Sequence, residues 1–202
     1  MSNIVIVDSC ESINFGILSE QVLTYSINDR DTILERTTIV NFNKRGLTLK
    51  AVSFSESFPD TSITVMEYDS AKILGWKEFM SGHNDTTTYQ AVAWNQKGRG
   101  TKFVLLGEEG AYSIFAYNNC VTTQKKTFSN NELIYSIDYH WDGSLLNKTT
   151  SQFYGSLKEA IGQSISTTES DFEKFDEKGN WTQRSFTIDK TKHLELRYLS
   201  YY

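Results

Sequence analysis

Three histidines are the first residues to test for chemistry: His83, His140 and His193. None has the spacing of a metal-binding helix such as H-E-x-x-H. His140 stands between Tyr139 and Trp141 at an expected strand end, where a half-exposed strand histidine is commoner than a general base. His83, in Ser81-Gly-His-Asn-Asp85, reads as a turn residue. No serine sits in a G-x-S-x-G elbow, which a strand-to-helix nucleophile needs. Carboxylates cluster at Asp29, Asp31 and Glu35, at Glu108 and Glu109, and at Asp171, Glu173, Asp176 and Glu177. A glycosidase needs two carboxylates facing each other across a cleft, and sequence spacing does not set that distance. Cys10 and Cys120 are neither in C-x-x-C nor beside a histidine. They read as reduced and buried, or as one disulfide if the protein is exported. Gly98-Arg-Gly100 is followed by a strand pattern, so it reads as a hairpin turn and not as a phosphate loop. The residues expected to do work are aromatic. Trp76, Trp94, Trp141 and Trp181, with Tyr139, lie at or near expected turns, and such rings anchor partners at low entropy cost. Their other use is to fill the core.

The elements that would position them are marked by a recurring pair. An aromatic residue followed by Asn or Asp occurs at Phe42-Asn43, Tyr68-Asp69, Trp94-Asn95, Tyr117-Asn118, Trp141-Asp142 and Phe175-Asp176. The gaps between successive aromatics are 26, 26, 23, 24 and 34 residues. Gly46, Gly98 and Gly179 stand four residues after their aromatics, and Gly143 closes a shorter version. Period-two runs precede the pairs, as in Ser62–Tyr68, Tyr89–Trp94 and Leu133–Tyr139. They also follow them, as in Leu47–Phe54, Thr101–Leu106 and Trp181–Phe186. Alternation of this kind marks half-buried strands. Asn and Asp bond their own backbone in turns, and glycine supplies positive φ. Each unit therefore reads as strand, turn, strand, with the aromatic as the last strand residue.

A lone hairpin is marginal in water, so the units are expected to pair edge to edge. The fold class expected is all-β. It would be an antiparallel meander of ten to fourteen strands, forming a curved or two-layer sheet with at most one or two short helices. One domain spans 1–202, with an N-terminal cap region over 1–30 and hairpin repeats over 31–202. Near-helical spacing of Ile13, Ile17, Leu18 and Val22 suggests a short helix or an irregular N-terminal cap over Glu11–Leu23, and Ser156–Ser164 suggests another short helix. His193–Tyr202 reads as a closing strand. Its charges Glu195 and Arg197, on one face with His193, are expected to meet solvent and protect a sheet edge.

Composition agrees with a folded β-protein. Of 202 residues, 39% are hydrophobic, and the 11 Tyr and 12 Phe favour pleated surfaces. The single proline, Pro59, suits long ladders that need N–H donors. A net charge of −5 with scattered cations (Lys44–Arg45, Lys97–Arg99, Lys125–Lys126) argues against nucleic acid and suits a basic partner. No apolar run is long enough for a membrane helix. The first eight residues lack the basic n-region and long h-region of a signal peptide. The expected location is cytoplasmic if residue 1 is the natural start, and periplasmic or surface if a signal was removed. The glycosylation sequons at Asn84, Asn147 and Asn180 read as incidental.

The stretch Phe172-Glu-Lys-Phe-Asp-Glu-Lys-Gly-Asn-Trp-Thr-Gln-Arg-Ser-Phe186 resembles the tyrosine–aspartate repeats of bacterial Rhs-type proteins and the hairpins of variant MORN repeat proteins. The matching positions are Phe175, Asp176, Gly179 and Trp181, with Arg184 and Phe186 on the return strand. Tyr68 and Tyr117 depart from the pattern by lacking the later glycine. The resemblance implies curved hairpin sheets used as shells, scaffolds or binding surfaces, with no catalytic residue to carry over. The functional expectation is a non-catalytic protein-binding module of immunity or antitoxin type, without cofactor or metal. The alternatives are a β-protein that holds a small ligand or lipid, and a hydrolase with a dispersed carboxylate or histidine site.

Overall fold

The structure is a computed structural model, and it describes residues 16–28, 31–55, 61–70, 72–81, 86–119, 121–188 and 190–202. His83, Cys10 and Cys120 lie outside the described residues. Among the described residues fourteen strands follow one another: β1 (Ile17–Ile27), β2 (Thr32–Phe42), β3 (Thr48–Ser55), β4 (Ser62–Asp69), β5 (Lys72–Met80), β6 (Thr86–Trp94), β7 (Gly100–Leu105), β8 (Tyr112–Asn118), β9 (Val121–Ser129), β10 (Glu132–Asp142), β11 (Leu145–Phe153), β12 (Ile165–Phe175), β13 (Trp181–Ile188) and β14 (Thr191–Tyr201). One short helix, α1 (Gly155–Ile161), joins β11 to β12.

Each strand pairs antiparallel with its sequence neighbours, and β1 pairs with β14, so the sheet is a closed barrel. This corrects the expected curved or two-layer sheet. Closure removes the two edges that such a sheet would leave exposed. The seam is long: its register runs from Ile17↔Tyr201 to Ile27↔Lys192. Residues 17–22, expected as part of a helix or an irregular cap, form the first half of β1, paired with β14 from Ile17 and with β2 from Ser19. The second expected helix is present as α1, and its C-cap Gly162 has a left-handed φ of 77°.

Directly paired residues point to one face. The register connects Trp76 to Met66 and Tyr89, and Phe103 to Ala91 and Ser113. Met66, Ile73, Trp76, Ala91, Phe103 and Phe115 form a buried cluster, so this face is the inside. Followed the other way, through Thr64, Ala51, Val40 and Glu20, the same face arrives at β14 with Leu199, and so includes Arg197, Glu195 and His193. The charges of the last strand therefore point inward, and all three side chains are buried. This corrects the expectation of a solvent-facing, edge-guarding stripe. Period-two alternation separates two faces of a strand but does not say which one the sheet closes around.

Inside the cluster, Trp76 stacks on Tyr89 at 4.5 Å and tilts against Phe103 at 4.8 Å, and Phe103 meets Phe115 edge-on at 5.4 Å. Close strand approach there depends on Gly75. Its φ is +155°, and an added Cβ would lie 2.0 Å from the Tyr89 carbonyl oxygen.

Candidate functional site: a lumen of two characters and a laced rim

Because strand direction alternates, the ends of the even-numbered strands share one rim. All six aromatic–Asx pairs lie there, at the ends of β2, β4, β6, β8, β10 and β12. Three of the turns are built alike. Asn43 Oδ1 accepts from the Arg45 and Leu47 amides, Asn95 Oδ1 from those of Lys97 and Arg99, and Asp176 Oδ1 from those of Lys178 and Asn180. In each, the glycine takes a left-handed φ, 78° at Gly46, 77° at Gly98 and 81° at Gly179. The pairs without that glycine, at Tyr68-Asp69, Tyr117-Asn118 and Trp141-Asp142, enter tighter connections. Ser70, Asn119 and Gly143 supply the positive φ in those.

The aromatic members lace the rim. Tyr68 Oη donates to the Thr48 carbonyl (3.0 Å), Trp94 Nε1 to that of Ile73 (2.8 Å), Tyr117 Oη to that of Gly100 (2.8 Å) and Trp141 Nε1 to that of Thr122 (2.8 Å). Each bond reaches the start of the preceding strand. Phe42 is buried, and its carbonyl accepts from Tyr202 Oη at 2.7 Å. Phe175 is 48% exposed. Sequence reasoning missed Tyr201, which donates to the Asp176 carboxylate and accepts from Asn180 Nδ2 at 2.9 Å. It lies 26 residues after Phe175, the same gap as the first two, and that spacing was the available signal. The Asp176 carboxyl is held below its usual range. Burial acts against this, and the bonds from Tyr201, Asn180 and Lys178 outweigh it.

The five expected anchors separate. Trp94 and Trp141 are rim residues. Trp76 is not near a turn but in the middle of β5, buried in the cluster, and Tyr139 is buried on the inner face of β10. Trp181 opens β13, between the Arg184 and Arg197 guanidiniums at 4.8 and 4.9 Å. His140 points outward, opposite Lys148, and is exposed. Among the described residues, no three His, Cys, Asp or Glu side chains converge as a metal site.

The inner wall has sectors. From β4 to β8 it is largely aromatic and apolar, with Thr64, Glu78 and Ser113 set among the rings. Tyr89 is pushed up to about 12 by burial, helped by Glu78 and Glu108, and burial also raises Tyr139 and Tyr135. On β11 and β12 the wall is Thr149, Ser151, Ser166, Thr168 and Ser170, all half-buried. From β13 through β14 to β2 it is charged and paired. Arg184 meets Glu195 at 2.5 Å, Arg197 meets Glu20 at 2.5 Å, and His193 Nδ1 lies 3.3 Å from Glu35. Thr24 Oγ1 also donates to Glu195. Arg184 packs its guanidinium on Trp181, Phe186 and Phe172.

The outer wall differs by sector too. One register row, Tyr198–Gln21–Ile39–Val52–Ile63–Phe79, is largely apolar across β14 and β1 to β5, with Tyr198 55% and Phe79 36% exposed. On β9 to β12 the outer positions are Lys126, Asp138, Lys148, Glu169 and Asp171. Among the described residues no helix is long and apolar enough to cross a membrane, which leaves strands aside.

No protein-family profile matches the chain, and no curated protein matches it. Solved structures do. A porin-like protein from Bacteroides uniformis matches at a TM-score of 0.54 and 9% identity, over 93% of this chain and 99% of that one. At that identity the likeness is one of fold, an antiparallel barrel. A Photorhabdus luminescens Tc holotoxin pore matches at a TM-score of 0.33 and 12% identity, over 89% of this chain and 11% of that one.

Proposed function

We propose that this protein is a non-catalytic binding barrel that holds a small amphiphilic molecule in its lumen. The observation that carries this reading is the inner wall, apolar and aromatic on β4 to β8 and charged on β13 to β2. An apolar body would lie along the rings of β4 to β8 while a polar end meets a charge on the inner face. A membrane-spanning role is the weaker reading. It would press the outward charges of β9 to β12 into hydrocarbon, at about 2–4 kcal/mol for a lysine at mid-bilayer.

The test is native mass spectrometry of the intact protein purified without detergent, followed by titration with a polyene fatty acid while tryptophan fluorescence is read. A co-purifying small molecule, or saturable binding near one equivalent that quenches the inner-wall tryptophans, is expected. An empty protein with no saturable binding would overturn the reading. The outward apolar row favours a second reading, a protein partner seated on β14 and β1 to β5. In the same preparation that reading requires a stoichiometric protein partner that Tyr198→Ser releases without changing ligand binding. A Tyr198→Ser protein that keeps its partner would end it.

A further inference from the structure

Lys125 stands apart among the inward cations. The register sets it opposite Phe115 on β8 and Ile137 on β10, both buried, so it is on the inner face at the edge of the apolar sector. Its ammonium lies 5.7 Å from the Phe115 ring. Arg184 and Arg197 each have a glutamate and an aromatic face. Lys125 has no hydrogen bond or ion pair among the described residues. Its nitrogen is nevertheless not sealed from solvent. Burial lowers its pKa, and Glu78 acts in the other direction. The Glu78 carboxylate is already engaged, accepting from Trp76 Nε1 at 2.9 Å.

An ammonium crowded by apolar groups, with Glu78 acting on it but no carboxylate bonded to it, is a standing cost to the fold. A ligand carboxylate would relieve it with a charge-assisted bond, and the low local dielectric would strengthen that bond. The groups around it fit the rest of such a ligand, because Phe115, Phe103, Trp76 and Tyr89 form one continuous ring-lined surface.

We propose that Lys125 seats the carboxylate of an apolar monocarboxylate whose body lies along Phe115, Phe103 and Trp76. This rests on the lumen reading above and names its ligand class. One cation suits one negative charge, which distinguishes such a ligand from a phosphate monoester or a dicarboxylate.

The experiment compares cis-parinaric acid with its methyl ester on the full chain, by fluorescence titration of the wild type, Lys125→Met and Lys125→Arg. The acid is expected to bind the wild type about tenfold or more tighter than the ester, the scale of one charge-assisted contact. Lys125→Met should bring the acid down to the ester's affinity and leave the ester unchanged. Lys125→Arg should keep the preference, which loss of fold would not. Equal binding of acid and ester by the wild type would overturn the assignment of Lys125 and leave the lumen reading standing. So would a preference that survives Lys125→Met. Failure of the wild type to bind either compound would overturn both.

Discussion

Tyr89 is a residue whose surroundings set a measurable property. Its ring stacks on Trp76, burial disfavours its phenolate, and Glu78 and Glu108 add like charge. Its pKa in the fold, about 12, lies above the ordinary value of 10.0. A raised pKa means that the folded state holds the proton longer than the unfolded chain does. The stability this provides is complete below pH 10 and is lost as pH rises through about 12. Tyr139 and Tyr135 are shifted in the same direction. Alkaline unfolding should therefore begin within that window, and Tyr89→Phe should move its midpoint upward. Absorbance at 295 nm, read beside circular dichroism, checks this. A midpoint unchanged in Tyr89→Phe would show that the ring is not buried as described.

Among the elements, the rim turns show what local sequence can specify. At Asn95 the side chain caps two amides and Gly98 takes the left-handed position, all within five residues. Nothing distant is needed, and so the turn was legible from the aromatic–Asx–Gly spacing alone. Asn95→Ala should cost about 1–2 kcal/mol, because two capping bonds go at once, whereas Asn95→Asp should stay near wild type. Urea midpoints give the magnitude. Faster amide exchange at Lys97 and Arg99 in Asn95→Ala would localise the loss, and unchanged exchange there would refute it. Tyr201 was less legible because it carries the rim bond without an Asx beside it, where the last strand simply ends. The direction of His193, Glu195 and Arg197 was not legible at all. Their alternation is the same whether the charged face meets water or a lumen, and only the pairing of β14 with β1 decides it. The candidate site suffered equally: Lys125 was visible only as half of a short basic cluster, while its inward direction comes from pairing with Phe115 and Ile137.

The whole molecule depends on that same pairing, between strands joined only through every other strand of the barrel. Arg197 and Glu20 stand 177 residues apart in sequence and meet across the seam, with side chains 8% and 16% exposed. At that depth the pair is weak evidence for stability, yet breaking it leaves a buried charge without a counterpart. Glu20→Leu alone should therefore cost about 3 kcal/mol, and Glu20→Leu with Arg197→Met should recover most of it, since both desolvation penalties then vanish. The consequence should not stay at the seam. Each strand has two neighbours only because the ring is closed, so opening β1 from β14 would expose two edges and let water reach both characters of the lumen. Hydrogen exchange on the Glu20→Leu protein should show lost protection at β7 and β8, half the barrel away, together with β1 and β14. If protection falls at β1 and β14 alone, the barrel is not one cooperative unit, and closure would then matter for the ligand chamber more than for the stability of the sheet.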